Sequence, residues 1–158
     1  MNIFVLDTNN IQHCATYHND RHCVKMILET TQLLNNALIA NDKLYTPVYK
    51  PSHQNHPCSI WAGKSYANFD WLTELGLALC SEYTYRYNKI HKCQSIIENI
   101  KHSNRRVSIR NIGLTDFPKC MPDQYKVDDI VESYRNYYIG EKRKLATWKN
   151  RSVPYWWK

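Results

Sequence analysis

Between residues 17 and 40 the sequence places His18, His22, Lys25, Glu29, Gln32 and Asn36 at alternating steps of four and three, a spacing that stacks them on one face of a helix. The ridge they form is narrow. Cys23, Val24, Met26, Ile27, Leu28, Leu33, Leu34, Ala37 and Leu38 fill most of the remaining circumference, far more than the single apolar stripe of a surface helix. The pattern predicts a mostly buried helix. An acid, a lysine and two histidines in line on such a helix either face a cleft, where acid and base groups are commonly tuned, or make an ordinary solvated strip.

The neighbouring segments are read by the same test. Residues 2–6 are expected as a short strand or extended arm, ended by the turn-forming run Asp7-Thr8-Asn9-Asn10. Asn19 or Asp20 offers an N-cap, the ridge lets the helix begin a turn earlier near Tyr17, and its end is expected around Asn41 and Asp42. Pro47, Pro51 and Pro57 forbid a regular helix between 44 and 57, which predicts a loop near the ridge. From Ser59 the helical pattern resumes. Its main run, 66–88 with Ser65 as cap, turns Phe69, Leu72, Leu75, Leu79 and Tyr83 inward. Glu82 and Arg86 continue that inner face in the favourable i, i+4 order, as an ion pair either buried beside the site or emerging into solvent. A shorter helix over 91–102 faces Ile96, Ile97 and Ile100 inward, and 103–125, with Gly113, Pro118 and Pro122, reads as mostly loop. The last pattern, 127–148, brings Val127, Val131, Tyr134, Tyr138, Leu145 and Trp148 near one face, with Asp128 or Asp129 in its first turn and Gly140 as a candidate bend. The predicted fold is all-α, a compact single domain of three principal helices with short helices and long ordered loops.

Composition narrows the partner. The chain of 158 residues holds 21 Lys and Arg against 14 Asp and Glu, a net charge of +7, which favours an anionic partner and argues against an acidic or disordered binding module. Twelve Tyr and five Trp supply core volume and surfaces on which bases can stack. The apolar run 1–6 lacks the basic flank and length of a signal segment, and no run approaches membrane-spanning length, so a soluble, cytoplasmic protein without a membrane partner is expected. Abundant Asn, Ile, Lys and Tyr fit an AT-rich genome such as that of a virus or phage. Cys14, Cys23, Cys58, Cys80, Cys93 and Cys120 form no CxxC pair and read as reduced, partly buried thiols.

Two basic clusters stand out. Lys101, Arg105, Arg106 and Arg110 lie in a loop-like stretch, and Lys142, Arg143, Lys144, Lys149, Arg151 and Lys158 surround Trp148, Tyr155, Trp156 and Trp157. Cations interleaved with planar groups suit a nucleic acid; the alternative is a solvated basic face over buried tryptophans. His13, Cys14, His18, His22 and Cys23, and separately His53, His56 and Cys58, are close in sequence. Neither group has CxxC or HExxH spacing, so neutral histidines are expected, with no metal and no cofactor. There is no GxSxG elbow, Gly-rich phosphate loop or dinucleotide fingerprint, and only four glycines. What remains as catalytic material is the ridge, where Glu29 lies one turn from Lys25 and two from His22.

Three patches carry a family pattern. On the first long helix His22 is followed seven residues later by Glu29; on the second, Tyr66, Phe69, Asp70, Trp71 and Leu72 open the helix and Glu82 with Arg86 closes it; and Pro154-Tyr155-Trp156-Trp157 follows a basic helix. In these patches the chain resembles the small phage and viral pyrimidine-dimer DNA glycosylases with abasic-site lyase activity, whose last motif reads Pro-Thr-Trp-Tyr. The resemblance implies a compact helical fold that kinks damaged duplex and flips a base out of the stack. It implies that an N-terminal α-amine attacks the sugar C1′ while the helix-borne acid, here Glu29, assists base release and the lyase step. The chain departs from that pattern at two places. The family's nucleophile is a Thr exposed by loss of the initiator Met, whereas here Asn2, a poor residue for that removal, follows Met1. The family's arginines beside the acid are replaced by Leu28 and Thr30, with Gln32 three residues on, leaving phosphate contacts there to Lys25 or His22.

Three functions stay open. The leading one is a glycosylase on damaged or modified bases, in which Glu29 activates water or the amine of Met1 or Lys25 replaces the missing nucleophile. Its catalytic group is Glu29, His22 and Lys25; Gln32, Arg86, Glu82, Lys142, Arg143, Lys149, Arg151, Trp156 and Trp157 bind the substrate, a damaged or modified double-stranded DNA, and the protein acts as a monomer. The others are a non-catalytic binder of distorted or modified DNA and an enzyme on a free nucleotide or other anionic small molecule.

Overall fold

Two 22-residue helices, α2 (Asp20–Asn41) and α4 (Tyr66–Tyr87), pack against each other at the centre of the molecule. The structure, a computed structural model, describes residues 1–103 and 108–158; Arg105 and Arg106 of the first basic cluster lie outside the described residues. Around the central pair stand α1 (Ile11–Tyr17), α3 (Pro57–Lys64), α5 (Gln94–His102) and α6 (Ile130–Lys142), with 3-10 turns at Asp123–Tyr125 and Arg143–Leu145. Among the described residues there is no strand. The fold is all-α, and no helix is long and apolar enough to cross a membrane.

Local chemistry sets the boundaries. Asn19 Oδ1 accepts the His22 amide at 2.9 Å and opens α2, so the helix begins at its cap and not a turn earlier. His18, with ψ of 131°, sits in the break between α1 and α2 and is not part of the ridge. His56 caps α3, whose first residue is Pro57, where a missing N–H costs nothing. Ser65 precedes α4, but its hydroxyl takes the Ile112 amide from the long loop and caps no helix N–H. Asn88 closes α4 in the left-handed region at φ 51°, which Asn tolerates better than most residues. Asp129 caps α6 by accepting the Glu132 amide. The helix runs unbroken through Gly140. A Cβ at 140 would stand 2.5 Å from the Tyr125 ring, so the glycine admits Tyr125 against α6.

The buried face of α2 is as broad as its pattern predicts, apart from Val24 and Leu28, which are exposed. With Arg21 and Lys25 these two form the solvent-facing strip of the helix. Asn36, at the far end of the ridge, donates to Ser52 O and Ser59 Oγ, while Asn35 ties down Val48 and Tyr49. The proline-bearing loop is thus held on α2. On α6 Tyr134 and Tyr138 are wholly buried, whereas Val127 and Leu145 are exposed.

Residues 3–6 thread the core as an extended arm, with Ile3, Phe4, Val5 and Leu6 at most 6% exposed. Each contributes about 1.5–3 kcal/mol by leaving water. Having no sheet to join, the arm is tied by side chains: Arg135 donates from Nε and Nη2 to Leu6 O at 3.1 and 2.8 Å.

Candidate active site around Glu29

Glu29 is 9% exposed, on the face of α2 that meets the N-terminal arm. Its two oxygens have different partners. Oε1 lies 3.2 Å from Lys25 Nζ one turn earlier, and Oε2 accepts the Asn2 backbone N–H at 3.0 Å. Asn2 is fixed in turn. Its Nδ2 donates to Cys120 O at 2.9 Å, and its Oδ1 accepts from Tyr134 Oη at 2.9 Å. The arm therefore delivers a chain nitrogen to one edge of the carboxylate while Lys25, largely in solvent, covers the other. The acid is at the surface of the core, not in bulk water.

His22 is held beside this pair as a neutral ring. It stacks on Phe4 at 4.3 Å, and its Nδ1 pairs with Tyr138 Oη at 2.6 Å. Burial, then the charges of His18, Lys142 and Lys25, pull its pKa down to about 3. Lys142 at the end of α6 thus acts on the same ring as Lys25. Gln32 is half-buried one turn beyond Glu29.

The Glu82–Arg86 pair is the buried alternative of the two expected. Arg86 Nε meets Glu82 Oε1 at 2.6 Å, and the guanidinium also donates to Asp20 Oδ1, His18 O and Thr16 O. Its side chain has no exposure. Arg151 adds a two-pronged contact to Glu82 at 3.0 and 2.8 Å. Burial pushes the Glu82 carboxyl up, but hydrogen bonds from Arg151 and Arg86 outweigh it and hold it below the usual carboxylate range. These charges are spent on joining α4, the α1–α2 break and the C-terminal tail, which leaves Glu82 and Arg86 no free face for a substrate.

The other predicted contacts lie on the surface of α6 and the tail. Lys142 sits over the Tyr137 ring at 4.7 Å, Arg143 over Trp157 at 5.6 Å, Lys149 over Tyr87 at 5.3 Å and Arg151 over Tyr85 at 3.8 Å. Each cation rests near an aromatic face, with Arg151 also bonded to Glu82 and Lys142 Nζ to the Tyr137 hydroxyl. Trp156 and Trp157 are half-buried, packed edge-on against Tyr138 at 6.2 and 6.4 Å. Trp148 is buried, its indole N–H donating to Tyr17 O at 3.0 Å. The tail is folded onto the core, with part of each ring left at the surface.

Several residues at this site are not singled out in the sequence. Tyr134 and Tyr138 are read there only as inward positions of the last helix and Asn2 only as a departure from the family's nucleophile; no local pattern marks them as partners of Glu29 or His22. Cys120 joins His56 and Cys58 in a cluster of possible metal donors, across 62 positions that spacing rules cannot bridge. The family model described as pyrimidine dimer DNA glycosylase matches residues 1–95, which include Glu29, Lys25 and the Glu82–Arg86 pair. No curated protein and no solved structure matches the chain.

Proposed function

The chain belongs to the pyrimidine dimer DNA glycosylase family, and from that premise we propose that it excises damaged or modified bases from duplex DNA with Glu29 as its acid and base. One observation carries the reading: a nearly buried carboxylate holds a primary amine, Lys25 Nζ, at 3.2 Å. Lys25 passes a proton to Oε1, and its free amine attacks the sugar C1′. The C1′–N bond breaks and the base leaves with that electron pair, taking the proton that the attacking amine releases. Glu29 returns its own proton to O4′ as the C1′–O4′ bond opens, which leaves the sugar as a protonated imine on the lysine. Glu29 then removes a C2′ proton to start the lyase step. Lys142, Arg143 and Lys149 neutralise phosphates, and the exposed apolar pair Val24 and Leu28 flanks Lys25 as a wedge against an unstacked step.

A second nucleophile is favoured by the other oxygen. The Asn2 nitrogen donates to Oε2, so an α-amine freed at that position would meet the acid directly; as an amide its lone pair is delocalised and unreactive. The test is borohydride reduction during reaction with ultraviolet-irradiated or abasic duplex, followed by mass mapping of the adduct. An adduct on Lys25 supports the first route and one on the N-terminal residue the second. Base release without any adduct makes water the nucleophile, and binding without base release overturns the enzyme reading.

A further inference from the structure

His56, Cys58 and Cys120 converge beside the N-terminal arm from the loop before α3, the first turn of α3 and the loop that follows α5. One donor atom from each lies within 4.8 Å of the other two. The two sulfurs are 3.6 Å apart. Thiolates held about 2.3 Å from one zinc ion at the tetrahedral angle stand roughly 3.8 Å apart, whereas a disulfide brings its sulfurs to about 2.05 Å. The observed separation is close to that of two sulfurs sharing a metal and far from that of a disulfide; here it is bridged by a Cys58 S–H···S contact with Cys120. Asn2 Oδ1, 3.8 Å from Cys58 Sγ, stands at the same kind of spacing on a further side.

We propose that His56, Cys58 and Cys120 form a binding site for a borderline-soft divalent cation, zinc by its donor chemistry, with the fourth position open beside Asn2. Two thiolates and an imidazole select such an ion over magnesium or calcium, which prefer oxygen. His56 Nδ1 accepts the Cys58 amide at 3.1 Å. A metal on Nε2 moves the ring proton to Nδ1 and gives up that capping bond, a small loss beside two sulfur–metal bonds gained. The ion would tie the Cys120 loop to α3. Because Asn2 Nδ2 donates to Cys120 O, it would also fix the residue whose backbone N–H meets Glu29. The inference rests on side chains other than the proposed acid and its lysine, so it stands or falls apart from the glycosylase reading.

Zinc analysis of protein purified without chelator is expected to give about one equivalent per chain, and cobalt substitution a near-ultraviolet sulfur-to-metal charge-transfer band with visible bands of a tetrahedral ion. Cys120→Ser, at a half-buried position, is expected to lower affinity at least about 100-fold, while His53→Ala, on the exposed neighbouring histidine, leaves it unchanged. On the wild-type chain, one equivalent of zinc should protect Cys58 and Cys120 from alkylation, a readout that needs no variant to fold. The proposal is overturned if cobalt produces no thiolate band, if zinc leaves the two alkylation rates unchanged, or if non-reducing mass mapping finds the pair joined as a disulfide.

Discussion

The Asn2 backbone nitrogen and Glu29 Oε2 stand 3.0 Å apart across 27 positions of chain, so the orientation of the carboxylate is tied to the position of the arm. Glu29→Gln keeps the shape and an acceptor oxygen but removes the charge. Base release from ultraviolet-irradiated duplex is expected to fall by about 10²–10⁴-fold, with duplex affinity retained or slightly raised. Release at the wild-type rate would remove Glu29 from the acid/base role.

Lys25 is separable from its neighbour by charge-preserving substitution. Lys25→Arg keeps a cation one helical turn from the acid but cannot form an imine at neutral pH. Borohydride trapping on this position is expected to vanish, whereas duplex binding measured by fluorescence anisotropy persists. An undiminished adduct in the variant would move the nucleophile to the N-terminal residue.

The buried charges around Arg86 hold three segments together. Arg86→Met takes from the carboxylates of Glu82 and Asp20 a guanidinium that meets them at 2.6 and 3.0 Å, leaving Glu82 to Arg151 alone. Breaking a buried pair from one side costs about 3–5 kcal/mol. A urea titration should show that loss in the midpoint, with Arg86→Lys recovering only part of it, because a single ammonium cannot reach all four acceptors.

Acid is expected to weaken the fold in a defined window. Burial lowers His18 to about 4 and His22 to about 3, from 6.5. Below pH 6.5 the unfolded chain takes up protons that the folded chain refuses, so this stability is complete above that value and is lost as the pH falls toward 4. Each histidine accounts for up to about 2 kcal/mol between pH 7 and pH 5. Below the usual carboxylate range the depressed Glu82 adds a further loss. Melting temperatures at pH 7, 6 and 5 test this; His22→Gln should flatten the slope, and a flat wild-type profile would contradict the buried neutral rings.

Lys142 offers a test of the duplex-facing surface. Removing one phosphate contact reduces the slope of log affinity against log salt by about 1. Lys142→Gln is expected to show that change with little effect on stability, since its visible partner is the Tyr137 ring and hydroxyl. An unchanged slope would place the duplex elsewhere.

Periodicity made α2 and α4 legible because both are long enough for a 3.6-residue pattern to repeat several times, and it paired Glu82 with Arg86 because i, i+4 neighbours meet whatever surrounds them. The same rule carried His18 into the ridge, since spacing continues across a break that only the Asn19 cap reveals. Seven-residue α1 is too short to show a pattern. Val24 and Leu28 look like core by residue type, yet they are exposed because no element covers that strip. The roles of Asn2, Tyr134 and Cys120 at the site are illegible for a different reason: they lie in contacts over more than a hundred positions, which no local window contains.

The arm that meets Glu29 is secured by the opposite end of the chain, through Arg135 on Leu6 and Tyr134 on Asn2, at separations of 129 and 132 residues. During synthesis residues 2–6 gain these ties only once α6 has left the ribosome. Such distant closure is slow to form, and a truncated translation product ending before residue 134 would carry the acid without the scaffold that aims it. The aim of the carboxylate thus depends on a helix synthesised long after the acid itself.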